Sequence, residues 1–146
     1  MKRDHRLPLT PGFCLLVLFA AAQPKQPPAT LTSAFAKLFP NASKTEWTEK
    51  TDNFTVFFDR NDRKCEAKFT KSGDWLSTEE PINWDSLPAP VLQALKTGKY
   101  ASWTRNAAYA VRSSDGSCQF HLVLAGRDGG RKLLFFSSDG KLIKER

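Results

Sequence analysis

A chain of 146 residues that is 40% apolar and 25% charged has the length and composition of one globular domain, which excludes wholesale disorder and any need of a metal to fold. Its formal charge of +7 is moderate. The basic residues gather toward the C-terminal end but alternate there with apolar ones, as on the solvent side of strands, which speaks against nucleic-acid binding.

Residues 1–22 read as a signal peptide. MKRDHR is a basic stub, GFCLLVLFAAA is an apolar run, and Ala20-Ala21-Ala22 supplies small residues before a cleavage point at Gln23. The run is shorter than the roughly 20 residues of a membrane span, so no span is expected in the mature chain. Cys14 lacks the preceding small residue of a lipidated cysteine and is expected to leave with the signal. Cleavage removes three cations and one anion, leaving a formal charge of +5. The pattern leads to the expectation that the mature chain is exported.

Residues 23–30, QPKQPPAT, are a Pro-rich linker. From there a first unit, residues 31–80, opens with Leu31, Phe35, Leu38 and Phe39 on one stripe of a short helix that Pro40 ends. Phe54, Val56 and Phe58 then alternate with Thr55, Phe57 and Asp59, and Cys65, Ala67 and Phe69 with Lys64, Glu66 and Lys68. Polar turns at Arg60-Asn61-Asp62 and Ser72-Gly73-Asp74 join these antiparallel strands. A second unit, residues 86–146, repeats the order. Ser86 is read as its N-cap, Leu87, Val91, Leu92 and Leu95 as its helical stripe, and Gly98 as a left-handed C-terminal residue. Strand-like runs follow near 107–112, 118–125, 131–137 and 141–145, separated by Asp-Gly turns at 115, 128 and 139. The segment FTKSGDWL and the segment FFSSDGKLI overlay with Phe69 on Phe136, Gly73 on Gly140, Trp75 on Leu142 and Leu76 on Ile143. The predicted fold is therefore α+β: two tandem helix-plus-meander repeats forming one antiparallel sheet of about eight strands, with the helices packed on one face.

The chemical inventory is thin. The mature chain has one histidine, His121, which leaves no His-rich metal site and no histidine acid–base pair. There is no CxxC, Gly-rich phosphate loop, GxSxG or HExxH. Glu79 and Glu80 read as a solvated strand end, and Asp59, Asn61 and Asp62 as a polar hairpin, because Arg63 and Lys64 stand where a calcium loop needs a ligand and a glycine. Cys65 and Cys118 have two readings. As a disulfide they would close a loop of about 52 residues and add about 4 kcal/mol, and as free thiols they would pack as small buried side chains. Asn41-Ala42-Ser43 and Asn53-Phe54-Thr55 fit the glycosylation sequon, which matters only in a eukaryotic secretory route. The expectation is a protein with no catalytic residues, no metal and no cofactor.

What remains is surface. If the alternating set from Phe54 to Phe136 faces the helices, Phe57, His121, Val123, Leu133 and Phe135 lie on the opposite face, with Trp75 and Leu142 extending the patch. An apolar outer face marks either a site for another protein or peptide of the envelope or the interface of a homodimer.

The stretches LTSAFAKLFPNASKTEW, NFTVFFDRNDRKCEAKFTKSGDWLSTEE and SLPAPVLQALKTGKYASW together resemble the bacterial exported PepSY-like family, which is similar to β-lactamase inhibitor protein. The resemblance runs over residues 31–146 and rests on the FPNA helix exit, the SGDWL turn and the LPAPV helix opening. It implies the tandem architecture above, an envelope location, and a binding or inhibitory role without catalytic residues. YAVRSSDGSC and KTGKY depart from the pattern in the second half.

Overall fold

The structure, a computed structural model, describes residues 26–146, so the expected signal peptide lies outside the described residues. Two proline-led helices and eight strands make up the domain. Helix α1 (Ala29–Leu38) starts directly after Pro27-Pro28, and its first two residues come from the stretch expected to be linker. Strands β1 (Ser43–Glu49), β2 (Asn53–Arg60), β3 (Arg63–Thr70) and β4 (Trp75–Ile82) follow. A short 3-10 turn over Trp84–Ser86 leads to α2 (Ala89–Thr97), then to β5 (Thr104–Ser113), β6 (Cys118–Ala125), β7 (Arg131–Ser137) and β8 (Leu142–Glu145). The strands pair in sequence order as one antiparallel eight-stranded sheet, so a helix followed by a four-stranded meander occurs twice.

Local chemistry explains the elements. Pro28 and Pro88 occupy the N-cap positions, and neither helix has a side-chain cap, so Ser86 belongs to the 3-10 turn instead of capping α2. Gly98 sits at the end of α2 in extended backbone, not in the left-handed conformation, and its carbonyl accepts from the Ala101 N–H at 3.1 Å as the chain turns toward Trp103. Asn61 and Asp62 both have positive φ, 52° and 58°, the geometry of a two-residue type I′ hairpin. That accounts for the polar triplet read as a turn.

Both helices lie on one face, over two separate hydrophobic clusters. Under α1, Phe35 is an aromatic hub whose ring centroid lies 5.2 Å from Phe39, 5.6 Å from Trp47, 5.0 Å from Phe58 and 6.3 Å from Phe69. Under α2 the cluster is mainly aliphatic, built from Leu87, Val91, Leu95, Leu122, Leu124 and Leu134. Every inward residue expected from alternation is buried, from Phe54, Val56 and Phe58 through Phe120, Leu122 and Leu124 to Leu134 and Phe136.

Local irregularities also occur twice. The ladder between β3 and β4 shifts after Lys68↔Ser77 so that Phe69 faces Trp75, bulging Leu76. The ladder between β7 and β8 shifts after Phe135↔Lys144 so that Phe136 faces Leu142, bulging Ile143. Each bulge follows a glycine turn that approaches the start of a helix. A Cβ on Gly73 would lie 3.7 Å from the Thr30 carbonyl oxygen, and one on Gly140 only 2.5 Å from that of Pro90.

The last strand is tied at its end. Leu133 and Arg146 exchange two backbone hydrogen bonds of 3.0 Å, and Glu145 accepts from Lys99 Nζ and from the Tyr100 hydroxyl, each at 2.9 Å. These bonds, that from Lys99 first, hold the Glu145 carboxyl below its ordinary range. A lowered carboxylate contributes stability above the ordinary glutamate range and loses it as pH falls through the lowered value. The protection factor of the Arg146 amide, its exchange rate relative to the intrinsic rate at each pH, should therefore fall on acidification more in the wild type than in Glu145→Gln, which lacks the ion pair at every pH; an equal fall in both would show that the pair does not anchor β8. Gly140→Ala should destabilise by about 3 kcal/mol and Gly116→Ala, with the same sign of φ and open space around it, by about 1 kcal/mol in urea unfolding.

Candidate functional site

The helix-free face is set by the register of the ladders. One row runs Pro81, Tyr109, His121, Phe135, Lys144 across β4 to β8, and the neighbouring row sets Ala107, Val123 and Leu133 side by side. The structure thus brings His121, Val123, Leu133 and Phe135 together, all half-buried, and adds Tyr109, which sequence reasoning missed. The missed signal was its place between Ala108 and Ala110, both buried beneath α2. Within the patch the His121 ring packs edge-on to Phe135 with centroids 4.3 Å apart, and its Nδ1 lies 2.9 Å from a Glu79 carboxylate oxygen. The Arg146 guanidinium covers the Phe135 ring at 5.7 Å.

Phe57 shares the face but not the cluster. It sits on β2 opposite Glu46 and Glu66, and five strand spacings of about 4.8 Å put it roughly 24 Å from Phe135. A shallow cavity of about 270 Å³ separates it from the rest, lined by Phe57, Lys64, Glu66, Glu79 and Tyr109.

Trp75 and Leu142 are on the other face, a correction to the outward placement expected from strict alternation. The bulges at Leu76 and Ile143 each insert one residue, which turns the side chain just before it in the chain to the helix side. Trp75 packs against the cluster under α1, its indole N–H donating to Thr78 Oγ1 at 2.9 Å, and Leu142 lines a cavity beside Leu95 and Tyr100.

The disulfide reading of Cys65 and Cys118 is likewise corrected: both thiols are free. β3 and β6 are separated by β4 and β5, so three strand spacings hold the two cysteines about 14 Å apart, beyond the roughly 7 Å between Cα atoms that a bridge tolerates. Burial pushes the Cys65 thiol above its ordinary pKa, so it stays protonated and inert at neutral pH.

The adjacent carboxylates Glu79 and Glu80, expected as a solvated strand end, point to opposite faces inside β4. Glu79 meets His121. Glu80, on the helix side, accepts hydrogen bonds from Arg60 at the end of β2 and from Arg112 on β5, the latter at 2.6 Å. Nothing in the local sequence announces this clamp, because it depends on the β4–β5 pairing that sets Glu80 opposite Ala110. Among the described residues, no group of three or more His, Cys, Asp or Glu could hold a metal ion, and no helix is long and apolar enough to cross a membrane.

No protein-family model matches the chain, and no curated protein matches it. Solved structures do. A DUF2874 family protein from Bacteroides ovatus ATCC 8483 matches with a TM-score of 0.74 and 25% identity, over 84% of this chain and 89% of that one. A BLIP-like protein from Bacteroides fragilis NCTC 9343 matches with a TM-score of 0.71 and 26% identity, over 85% and 88%. A periplasmic-protein candidate from Bacteroides eggerthii DSM 20697 has the same fold, with a TM-score of 0.78 at 15% identity over 84% and 89%. The chain is thus similar in fold to BLIP-like and DUF2874 proteins along nearly all of their length.

The two thiols are expected to differ in reactivity. Under native conditions a thiol reagent should modify the half-buried Cys118 and spare Cys65 until the protein is unfolded, and non-reducing mass analysis should show both as thiols. A mass lower by two hydrogens would contradict this placement.

Proposed function

We propose that the protein is an exported, non-enzymatic binding module that recognises an envelope protein or peptide through the helix-free face of its sheet. The observation that carries this reading is a difference between the two halves. Matching Phe69 with Phe136 and following the cross-strand partners pairs Phe54 with Phe120, Val56 with Leu122, Phe58 with Leu124 and Ala67 with Leu134, all inward and all apolar. The outward positions pair differently: Thr55 with His121, Phe57 with Val123, Glu66 with Leu133 and Lys68 with Phe135. Three of the four are polar or charged in the first half, while the second half places His121 among three apolar side chains. A sheet face exposed only to water would favour polar residues in both. The BLIP-like neighbour and the N-terminal signal pattern support the same reading, as does the tandem, PepSY-like build of the sequence.

In this mechanism Phe135, with Tyr109, Val123 and Leu133 around it, is desolvated against the partner and supplies most of the binding energy, while Phe57 contributes at a distant rim. A second reading is a homodimer through the same face, favoured by the adjoining apolar side chains of Val123, Leu133 and Phe135, which a second copy of the chain would cover.

The test compares the wild type with Phe135→Asp, with Phe57→Asp and with Gln93→Asp on the exposed side of α2, each first shown to melt cooperatively. Capture of the same envelope protein by the wild type and Gln93→Asp, its loss in Phe135→Asp and a weaker effect of Phe57→Asp are expected. Retention by Phe135→Asp would refute the site. A wild type with twice the monomer molar mass in solution that Phe135→Asp reduces to monomer would replace this reading by the homodimer.

A further inference from the structure

The helix side of the sheet carries a second feature that the sheet-face reading leaves unused. Where α1 ends, two adjoining cavities of about 180 and 340 Å³ share Arg60 and Glu80. The first has an apolar wall of Leu38, Phe39 and Trp75 and a polar end of Arg60, Thr78, Glu80 and Arg112; the second adds Arg63. Leu38 is 49% exposed there, one of only three large apolar side chains so exposed among the described residues.

Charge decides what fits. Three guanidinium groups line the two cavities against one carboxylate, Glu80, whose side chain is 18% exposed and whose two oxygens are each taken by an arginine. Arg63 spends one N–H on the Pro81 carbonyl at 3.1 Å. A fold that needed only to neutralise Glu80 would need one arginine. The surplus of two positive charges, on planar forks with N–H groups to spare beyond these bonds, matches a second carboxylate, and the adjoining wall of Leu38, Phe39 and Trp75 matches an apolar tail attached to it. Arg112, 63% exposed, is the fork most open to a ligand arriving from solvent.

We propose that this cleft binds a monocarboxylate bearing a short apolar group, with the carboxylate on Arg112 and Arg60 and the tail along Leu38 and Trp75. Two sources share that chemistry: a free short-chain fatty acid, or the C-terminal carboxylate of a peptide ending in an apolar residue. The site is independent of the outer sheet face.

Calorimetric titration with hexanoate, N-acetyl-leucine and hexanol tests it, with the Trp75 indole N–H resonance reporting the location through its bond to Thr78. At least one of the two carboxylates should bind saturably and shift that resonance, and hexanol should do neither. Binding of hexanoate alone assigns the free acid, and binding of N-acetyl-leucine alone assigns the peptide terminus. Arg112→Gln, at an exposed position where folding should survive, should weaken binding at least about tenfold, as expected for loss of a charge-assisted hydrogen bond, and Arg63→Gln should weaken it less. Absence of saturable carboxylate binding, equal binding of hexanol, or unchanged affinity in a cooperatively melting Arg112→Gln would overturn the proposal.

Discussion

The pairing of β4 with β5 holds this molecule together. The two hydrophobic clusters, one beneath each helix, remain separate, and the six residue pairs from Ser77↔Ser113 to Ile82↔Ala108 make the two meanders into one sheet. On the helix side of that ladder Ala108 and Ala110 are buried beneath α2, while Glu80 and Arg112 belong to neither cluster. Glu80 bonds Arg112 across the junction and Arg60 two strands back, so one carboxylate ties three strands, two from the first half and one from the second. A half-buried ion cluster of this kind adds little net stability compared with apolar packing, but a register slip would leave its charges unpaired, so it penalises wrong pairing strongly. The cleft beside α1 opens at this ion cluster, with Arg60, Glu80 and Arg112 in its lining.

With both helices on one side, no helix among the described residues covers the other. An eight-stranded sheet normally resolves this by making the outer face polar. The first half does so, with Lys64, Glu66 and Lys68 on β3 and Thr55 buried among neighbours on β2. The second half does not. There the side chains reduce their exposure by leaning on each other, His121 on Phe135 and Arg146 over its ring, which lowers the cost of an apolar surface in water without removing it. Such a surface is half-buried before any partner arrives and is held rigid by its ladder, so a partner would pay little side-chain entropy to engage it.

Strand order, turn positions and the inward faces of β2, β3, β6 and β7 were legible in the sequence, because alternation over seven or eight residues leaves no freedom once the Asp-Gly and Asn-Asp turns fix the ends. Legibility failed where one residue breaks the period. The bulges at Leu76 and Ile143 turned Trp75 and Leu142 to the helix side, and no local residue type distinguishes a bulged strand from a straight one there. It failed again where a cluster depends on partners far apart in sequence: Arg60 reads as part of a polar turn and Glu80 as a solvated strand end, and only the ladder sets them on one face with Arg112. The disulfide reading failed for the same reason, since the separation of Cys65 and Cys118 is fixed only by two intervening strands.

The paired irregularities bear on how the two halves came to differ. A glycine turn approaching a helix start, followed by a one-residue bulge at the next strand, appears at Gly73 and Leu76 and again at Gly140 and Ile143. Backbone devices this specific need the same support in both places, and both places have it. The side chains that fill the frame then diverge in two ways. The first core is aromatic around Phe35 while the second is mainly aliphatic, a difference that keeps these inward positions apolar and so costs little as long as volume is conserved. On the outer face Glu66 stands opposite Leu133, and Lys68 opposite Phe135. A charged residue and an apolar one are not interchangeable on a solvated strand unless something other than the fold decides between them. Folding explains the apolar inward positions of both halves equally well but not the outward asymmetry, which is why the proposed recognition role rests on the outer face of the second half.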